Sequence, residues 1–218
     1  MSQLNHPGIL KLMGYCVRGE EAPKGNDILK HGIVAVYLFA EEVPVVNLTW
    51  HERLVMSHRF ADLLDYLQHS PLGSLGMNDF KFDNFLFADG HIKISDYDDM
   101  NIDEPVCKAS RDCKLSLPCI KGHCKGFNVA NNMKSANKHM FKRNLFCNHC
   151  DRDEEQQALL LNITSQKNTT AAILKRFYIQ TFAGKQLKRA SKDSSTISFI
   201  MVFCWLRPII AQEKIVSA

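Results

Sequence analysis

A short predicted hairpin near the middle of the chain constrains the fold more than any other sequence feature. Two largely apolar runs, residues 85–88 and 91–95, flank the dipeptide Asp89-Gly90. This dipeptide is typical of two-residue hairpin turns, because both positions tolerate the positive φ that such turns require. The pattern predicts two short antiparallel strands, so the residues before the first strand and after the second should meet at one end of the hairpin.

Four polar side chains lie at that end. Asp79, Lys81 and Asn84 precede the first strand, and Asp96 follows the second. Phosphoryl transfer uses this combination, since it needs a carboxylate for the acceptor hydroxyl, a cation for the γ-phosphate and oxygen ligands for Mg²⁺. The interval from Asp79 to Asn84 equals that of the kinase loop H-R-D-x-x-x-x-N, and Asp96 corresponds to the aspartate of D-F-G.

The order of elements before this loop strengthens the interpretation. D-x-x-x-x-N alone is a weak pattern, because loops that contain Asp, Lys and Asn are more often turns without a function. Here residues 33–39 are predicted to form a strand buried on both faces, and the polar pair Glu41-Glu42 follows it. An amphipathic helix is then predicted from an N-cap at Thr49 to about Ser70. Its apolar stripe consists of Trp50, Leu54, Ala61, Leu64 and Leu67.

Six of the eight cysteines are concentrated between residues 107 and 150. Such clustering indicates either disulfides or a metal site. N-x-S/T sequons are typical of secreted glycoproteins and favour disulfides here; they begin at Asn47, Asn162 and Asn168. The alternative is a zinc site with four thiolates. Its candidate ligands are Cys119, Cys124, Cys147 and Cys150, with His123 or His149 in reserve.

The charge distribution excludes one class of partner. Residues 1–120 carry 11 basic and 17 acidic side chains, which argues against a basic-patch nucleic-acid binder, so no nucleic-acid partner is predicted. The longest apolar run, residues 197–206, is too short for a membrane span, which needs about 20 helical residues. The first seven residues lack the basic and apolar regions of a secretory signal peptide.

Several of these segments resemble a known family. Residues 4–12, Leu-Asn-His-Pro-Gly-Ile-Leu-Lys-Leu, resemble the protein-kinase segment that links helix C to strand 4. Residues 66–75, the loop at Asp79, the motif at Asp96 and the Cys-rich run through residues 121–128 resemble the vertebrate lonesome kinase family. Members of that family are secretory-pathway and extracellular kinases that phosphorylate tyrosine on secreted and matrix proteins. The resemblance covers about residues 3–146.

The resemblance implies a site for ATP with Mg²⁺ or Mn²⁺. Asp79 would be the catalytic base, and Lys81 would contact the γ-phosphate. The implied cofactor-binding residues are the hinge Glu41, Glu42 and Val43 together with Asn84 and Asp96, the last two as metal ligands. The implied partners are secreted or extracellular-matrix protein substrates. The complete protein would be found in the Golgi and the rest of the secretory pathway, and outside the cell.

Departures from the kinase pattern suggest a second function. Met77-Asn78 replaces His-Arg, Asp98 replaces the glycine of D-F-G, and no G-x-G-x-x-G or strand-3 lysine occurs. We therefore expect an N-terminally truncated kinase that is slower than a complete relative. The alternative is a catalytically impaired kinase-fold fragment or pseudokinase that acts as a binding module. A zinc-stapled interaction module is a third hypothesis.

The predicted fold class is α+β, a protein-kinase-like fold. It combines a remnant N-lobe sheet with a mainly helical C-lobe that carries a Cys-rich insertion. Residues 1–150 are predicted to form a partial kinase-like domain, with the remnant N-lobe and hinge in 1–46 and the C-lobe in 47–150. The Cys-rich segment within it is 107–150. Residues 151–218 form a divergent C-terminal region, to which the sequence assigns no function.

Overall fold

The computed structural model describes residues 3–17, 33–46, 48–146, 154–166 and 169–193. Its strands are β1 (Leu12–Val17), β2 (Ile33–Tyr37), β3 (Glu41–Glu42), β4 (Gly76–Met77), β5 (Phe85–Ala88), β6 (His91–Ile94), β7 (Met100–Asn101), β8 (Cys119–Ile120) and β9 (His123–Cys124). Its helices are α1 (Trp50–Gln68), α2 (Phe127–Ala136) with a π-helical continuation (Asn137–Leu145), α3 (Glu154–Ser165) and α4 (Ala171–Asp193). Short 3₁₀ helices lie at Phe82–Asn84, Ser110–Asp112 and Lys114–Ser116. Helices combined with small sheets fit the predicted α+β class.

The central helix α1 begins and ends close to the predicted positions. The Glu52 amide donates to the Thr49 hydroxyl (3.3 Å), and the Thr49 amide donates to the Glu52 carboxylate (2.8 Å), which forms a capping box. The predicted apolar stripe is buried, and Leu54, Ala61 and Leu67 have no exposed surface. Because residues three and four apart share one face of a helix, this stripe anchors α1 in the core.

The predicted hairpin forms β5 and β6 of a three-stranded antiparallel sheet in the order β3-β5-β6. Asp89 and Gly90 have φ of 53° and 75°, the left-handed backbone that this turn requires. Arg59 of α1 donates to the Gly90 carbonyl (2.6 Å), and a side chain at position 90 would collide with its guanidinium. The turn is therefore held directly on α1.

The chain segment before β1 is fixed to the same hairpin. Ile9 forms a parallel bridge with Ile94, whose amide donates to the Gly8 carbonyl (2.9 Å). Lys93, with a side chain only 6% exposed, donates to the Pro7 carbonyl (2.8 Å). These bonds satisfy buried polar groups on both sides, so residues 7–10 move with β6.

The predicted remnant sheet forms, but one expectation about it is wrong. β1 and β2 pair antiparallel, with Tyr15 opposite Ala35. The apolar sequence of β2 predicted burial on both faces, yet Val36 is 54% exposed and Tyr37 is 40% exposed. Burial of both faces requires elements packed on each side of a strand. Among the described residues this sheet contains only β1 and β2, so β2 lacks that cover.

Two disulfides staple the Cys-rich segment. Cys107 is bonded to Cys119, and Cys113 is bonded to Cys124. The structure thus confirms disulfides for these four cysteines and excludes Cys119 and Cys124 as thiolate ligands of zinc while the bonds are intact. Cys147 and Cys150 lie outside the described residues.

The later helices extend the description to residue 193. The last described helix, α4, runs from Ala171 to Asp193. By contacts the chain divides into two units, Met1–Lys175 and Arg176–Ala218. The domain boundary predicted near residue 150 falls outside the described residues and stays a prediction, and the apolar run 197–206 lies outside them too. Over the part of the chain that the structure describes, no helix is long and apolar enough to cross a membrane.

Candidate active site

The hairpin brings Asn84 and Asp96 to the same end of the sheet. Asn84 ends the 3₁₀ helix that precedes β5, and Asp96 lies two residues after the last residue of β6. Phe85 pairs with Ile94, and the Ser95 amide donates to the Asn84 carbonyl (3.0 Å). The register therefore fixes the backbone positions of both predicted metal ligands.

Hydrogen bonds from Asn84 position the loop that carries Asp79. The Asn84 side-chain amide donates to the Asp79 carbonyl (2.7 Å) and, more weakly, to the Asp79 carboxylate (3.4 Å). Because the nitrogen is committed to Asp79, the side-chain oxygen of Asn84 is left for another partner. On the other side of Asp79, the Asn78 amide donates to the Asp99 carbonyl (3.2 Å).

A small pocket forms between these segments. Its lining includes Met77, Asp79, Asn84, Asp96, Asp99 and Met100. Three of the residues predicted from the sequence, Asp79, Asn84 and Asp96, thus lie around one hollow. Its polar side-chain groups are carboxylates and amides, and such oxygens are the ligands that Mg²⁺ prefers. The donor set fits a magnesium ion, with Asn84 and Asp96 as the residues that would hold it.

Lys81 lies beside the pocket and pairs with Asp79. Its ammonium contacts the Asp79 carboxylate, and both side chains remain about half exposed. The hydrogen bond from Lys81 lowers the pKa of Asp79, and the same bond raises the pKa of Lys81, with further contributions from Asp96 and Asp83. Asp79 is therefore ionised and Lys81 protonated at neutral pH, the states that a proton acceptor and a phosphate-binding cation require.

The predicted hinge residues pair with the same hairpin. Glu42 lies opposite Leu86 and Glu41 opposite Phe87, so β3, the predicted hinge strand, pairs with β5 on the side away from β6. The Glu41 and Glu42 side chains are exposed, whereas Val43 is buried. The sheet therefore connects this strand directly to the strand that follows Asn84.

The sequence analysis did not identify the asparagines of α2 whose side chains bond to the backbone just before Asp79. The Met77 amide donates to the side-chain oxygen of Asn132 (2.9 Å), whose nitrogen donates to the Leu75 carbonyl (2.8 Å). One turn earlier on α2, Asn128 donates to the Ser74 carbonyl (2.9 Å). The only signal in the sequence is the spacing of two asparagines by four residues on one helical face.

Comparison with known proteins identifies kinase relatives of this chain. No family model matches the chain. The human extracellular tyrosine-protein kinase PKDCC is 33% identical over 150 residues, which are 65% of this chain and 30% of PKDCC. The chain is a kinase homologue that fits the PKDCC-like lonesome kinase family. The predicted kinase-like fold class is thereby confirmed.

Other kinase relatives match a shorter segment. The Arabidopsis thaliana serine/threonine-protein kinase PBL34 is 30% identical over 98 residues, which are 44% of this chain and 19% of that protein. The A. thaliana receptor-like kinase LIP2 is 29% identical over 98 residues, 44% of this chain and 18% of LIP2. This chain thus covers less than a third of the length of each of these three relatives. Their names include a tyrosine kinase and a serine/threonine kinase.

Proposed function

We propose that the pocket between Asp79 and Asp96 transfers the γ-phosphate of ATP to a protein hydroxyl, with Mg²⁺ or Mn²⁺. The observation that carries the proposal is that Asp79, Asn84 and Asp96 line one pocket, while Lys81 pairs with Asp79 at its edge. Phosphoryl transfer depends on positioning and charge neutralisation more than on covalent chemistry. This arrangement supplies both.

In this proposal each polar residue has one role. Asp79 orients the acceptor hydroxyl and takes its proton as the hydroxyl oxygen bonds to the γ-phosphorus and the bond to the ADP oxygen breaks. Lys81 exchanges its contact with Asp79 for the γ-phosphate, which it neutralises. Asn84 and Asp96 hold the metal ion, which supplies charge neutralisation on the phosphates when bound. The backbone of residues 41–43 receives the adenine.

The proposed acceptor is tyrosine in secreted or extracellular-matrix proteins. PKDCC is named an extracellular tyrosine-protein kinase. The disulfides Cys107–Cys119 and Cys113–Cys124 support an oxidising compartment, since such bonds persist in secreted proteins and are rare in the cytosol. The sequon residue Asn162 is exposed on α3, consistent with a glycoprotein. We therefore place the complete protein in the secretory pathway, including the Golgi, and outside the cell.

A second candidate is a kinase-fold module that binds a nucleotide or a partner without transferring phosphate. The observation in its favour is that Met77-Asn78 replaces the His-Arg of the kinase loop and Asp98 replaces the glycine of D-F-G. Nucleotide binding without turnover would identify this candidate.

The experiment compares Asp79→Asn with Asp83→Asn in the 218-residue chain. Asp83 is a matched control, because it is exposed and close to Lys81 but does not line the pocket. We expect Asp79→Asn to reduce phosphate transfer by about 10²–10⁴-fold, the usual contribution of a general base. Asp83→Asn should retain most of the activity.

Two measurements are needed. Transfer from radiolabelled ATP to a peptide library containing Tyr, Ser and Thr reports activity and the acceptor residue, and calorimetry reports binding of a non-hydrolysable ATP analogue with Mg²⁺. Equal activity of Asp79→Asn and the wild type would show that Asp79 is not the catalytic base. Serine or threonine labelling would overturn the tyrosine assignment alone.

A further inference from the structure

The side chain of Tyr97, next to the predicted metal ligand Asp96, makes contacts that the proposed chemistry does not explain. The Leu10 amide donates to the Tyr97 hydroxyl (2.8 Å). The hydroxyl in turn lies within donating distance of the Ile94 carbonyl (2.6 Å) and the Leu10 carbonyl (3.2 Å). A phenol has one proton and two lone pairs. Its single proton can be donated to only one of the two carbonyls at a time. One donated bond and the bond accepted from Leu10 therefore use most of its hydrogen-bonding capacity.

These contacts join two parts of the chain that are far apart in sequence. Leu10 lies in the segment before β1, and Ile94 is the last residue of β6. The two backbones already meet at the bridge between Ile9 and Ile94. Tyr97 adds a side-chain link to this junction, since its hydroxyl bonds back to Ile94 three residues earlier and also to Leu10.

The position of Asp96 follows from this closure. Asp96 is flanked by Ser95, whose amide donates to the Asn84 carbonyl (3.0 Å), and by Tyr97, whose hydroxyl is tied to residues 10 and 94. Its own carboxylate accepts a bond from the Asp98 amide (3.2 Å). With both neighbours fixed, the backbone of Asp96 cannot rotate away from the pocket unless one of these bonds breaks.

We propose that Tyr97 is a positioning residue whose hydroxyl clamps Asp96 in the pocket with Asp79 and Asn84. The clamp acts through the backbone of Leu10 and Ile94, so Tyr97 itself touches neither nucleotide nor metal. Phenylalanine at this position would fill the same space but could not make the bonds. The expected effect on metal and nucleotide binding rests on the proposed function. The hydrogen bonds of Tyr97 can be tested without any ligand.

The test compares Tyr97→Phe with Tyr66→Phe in the full chain. Tyr66 is a matched control, because its hydroxyl accepts from the Asn5 amide (2.9 Å) and so also tethers the segment before β1, but it is not next to Asp96. In the ligand-free protein, amide hydrogen exchange should accelerate at Leu10, Ser95 and Asp98 in Tyr97→Phe. Tyr66→Phe should leave Ser95 and Asp98 unchanged. Unchanged exchange at Ser95 and Asp98 in Tyr97→Phe would overturn the proposal.

A second readout connects the clamp to the ligand. Calorimetry with the non-hydrolysable ATP analogue and Mg²⁺ should give about tenfold weaker binding for Tyr97→Phe, the effect of losing roughly one net hydrogen bond. Binding of Tyr66→Phe should match the wild type. Equal weakening by both variants would indicate a general structural role and reject positioning. If the wild type itself fails to bind, the proposed function fails, and hydrogen exchange still decides the role of Tyr97.

Discussion

The loop and hairpin around the pocket, residues 76–101, and the disulfide-bonded loops of the Cys-rich segment, residues 105–125, are held in place by different means. The hairpin rests on an aromatic cluster in which the Phe60 ring of α1 lies 5.4 Å from that of Phe85, and Phe85 lies 5.0 Å from Phe80. The Cys-rich segment has little apolar packing of its own: Val106 is 82% exposed and Ile120 is 48% exposed. Its core consists of disulfide cysteines with a few neighbours.

The two regions show two ways to hold a loop in place, by noncovalent contacts and by covalent bonds. Around the pocket, helix α1 and the asparagines of α2 fix each short segment by packing and by buried hydrogen bonds. Such contacts act cooperatively, so loss of one is felt at the site. Disulfides act chiefly by restricting the unfolded chain. We therefore expect the Cys-rich segment to unfold locally, with less effect on the rest of the structure than unfolding of any part of the site would have.

The largest expected effect comes from removing both disulfides by replacing all four bonded cysteines with serine. Each closes a loop of about a dozen residues, worth about 3 kcal/mol in the chain-entropy estimate. We expect residues 105–125 to lose protection in hydrogen exchange, while α1 and the hairpin keep theirs. Lys114→Ala, at an exposed position of the same segment, is the control. Loss of protection in the hairpin would show that the two regions are not separable.

An intermediate effect is expected from Asn132→Ala. This change leaves the Met77 amide and the Leu75 carbonyl without their partner, and a buried unsatisfied group costs about 1–3 kcal/mol. Stability in urea should fall by about that amount, and exchange at Met77 should accelerate. Asn131→Ala changes the neighbouring, more exposed position on α2 and serves as the control. Equal stability of the two variants would exclude Asn132 as the support of the Asp79 loop.

The smallest expected effect is a pH dependence from His6. Burial lowers the pKa of His6 and outweighs the favourable contacts with Asp62, while His91 and Lys175 lower the pKa further. The geometry agrees, because the Gly8 amide donates to Nδ1 (2.9 Å), which must therefore be unprotonated. The unfolded chain protonates at the ordinary pKa of about 6.5. Stability from His6 is thus complete above that pH and is lost as the pH falls below it.

Thermal melts between about pH 7.5 and about pH 5 measure this effect. His6→Gln should flatten the pH dependence of the melting temperature. Part of the loss should remain, since burial also lowers the pKa of His58 and His139. An identical pH profile in the wild type and His6→Gln would contradict the assignment.

Much of the frame around the pocket could be predicted, because its signals are local. The cap at Thr49 and the stripe from Trp50 to Leu67 depend on spacing within one helix, and the turn at Asp89-Gly90 depends on two adjacent residues. The exposure of β2 could not be predicted, since apolar composition does not say which neighbours a strand will have. The disulfide pairing was equally undetermined, because six cysteines allow 15 pairings. The roles of Asn132 and Tyr97 depend on backbone groups up to 87 positions away.

The sequence by itself determined the helix α1, the hairpin and the order of the polar residues, because periodicity, capping and turn chemistry operate over a few neighbouring positions. Only the tertiary structure decided that Asp79, Asn84 and Asp96 surround one pocket and that Leu10, Asn132 and Tyr97 support it. Those contacts join backbone donors and acceptors from distant segments. Every residue except proline offers the same backbone donor and acceptor, so the sequence does not indicate which of these groups will meet.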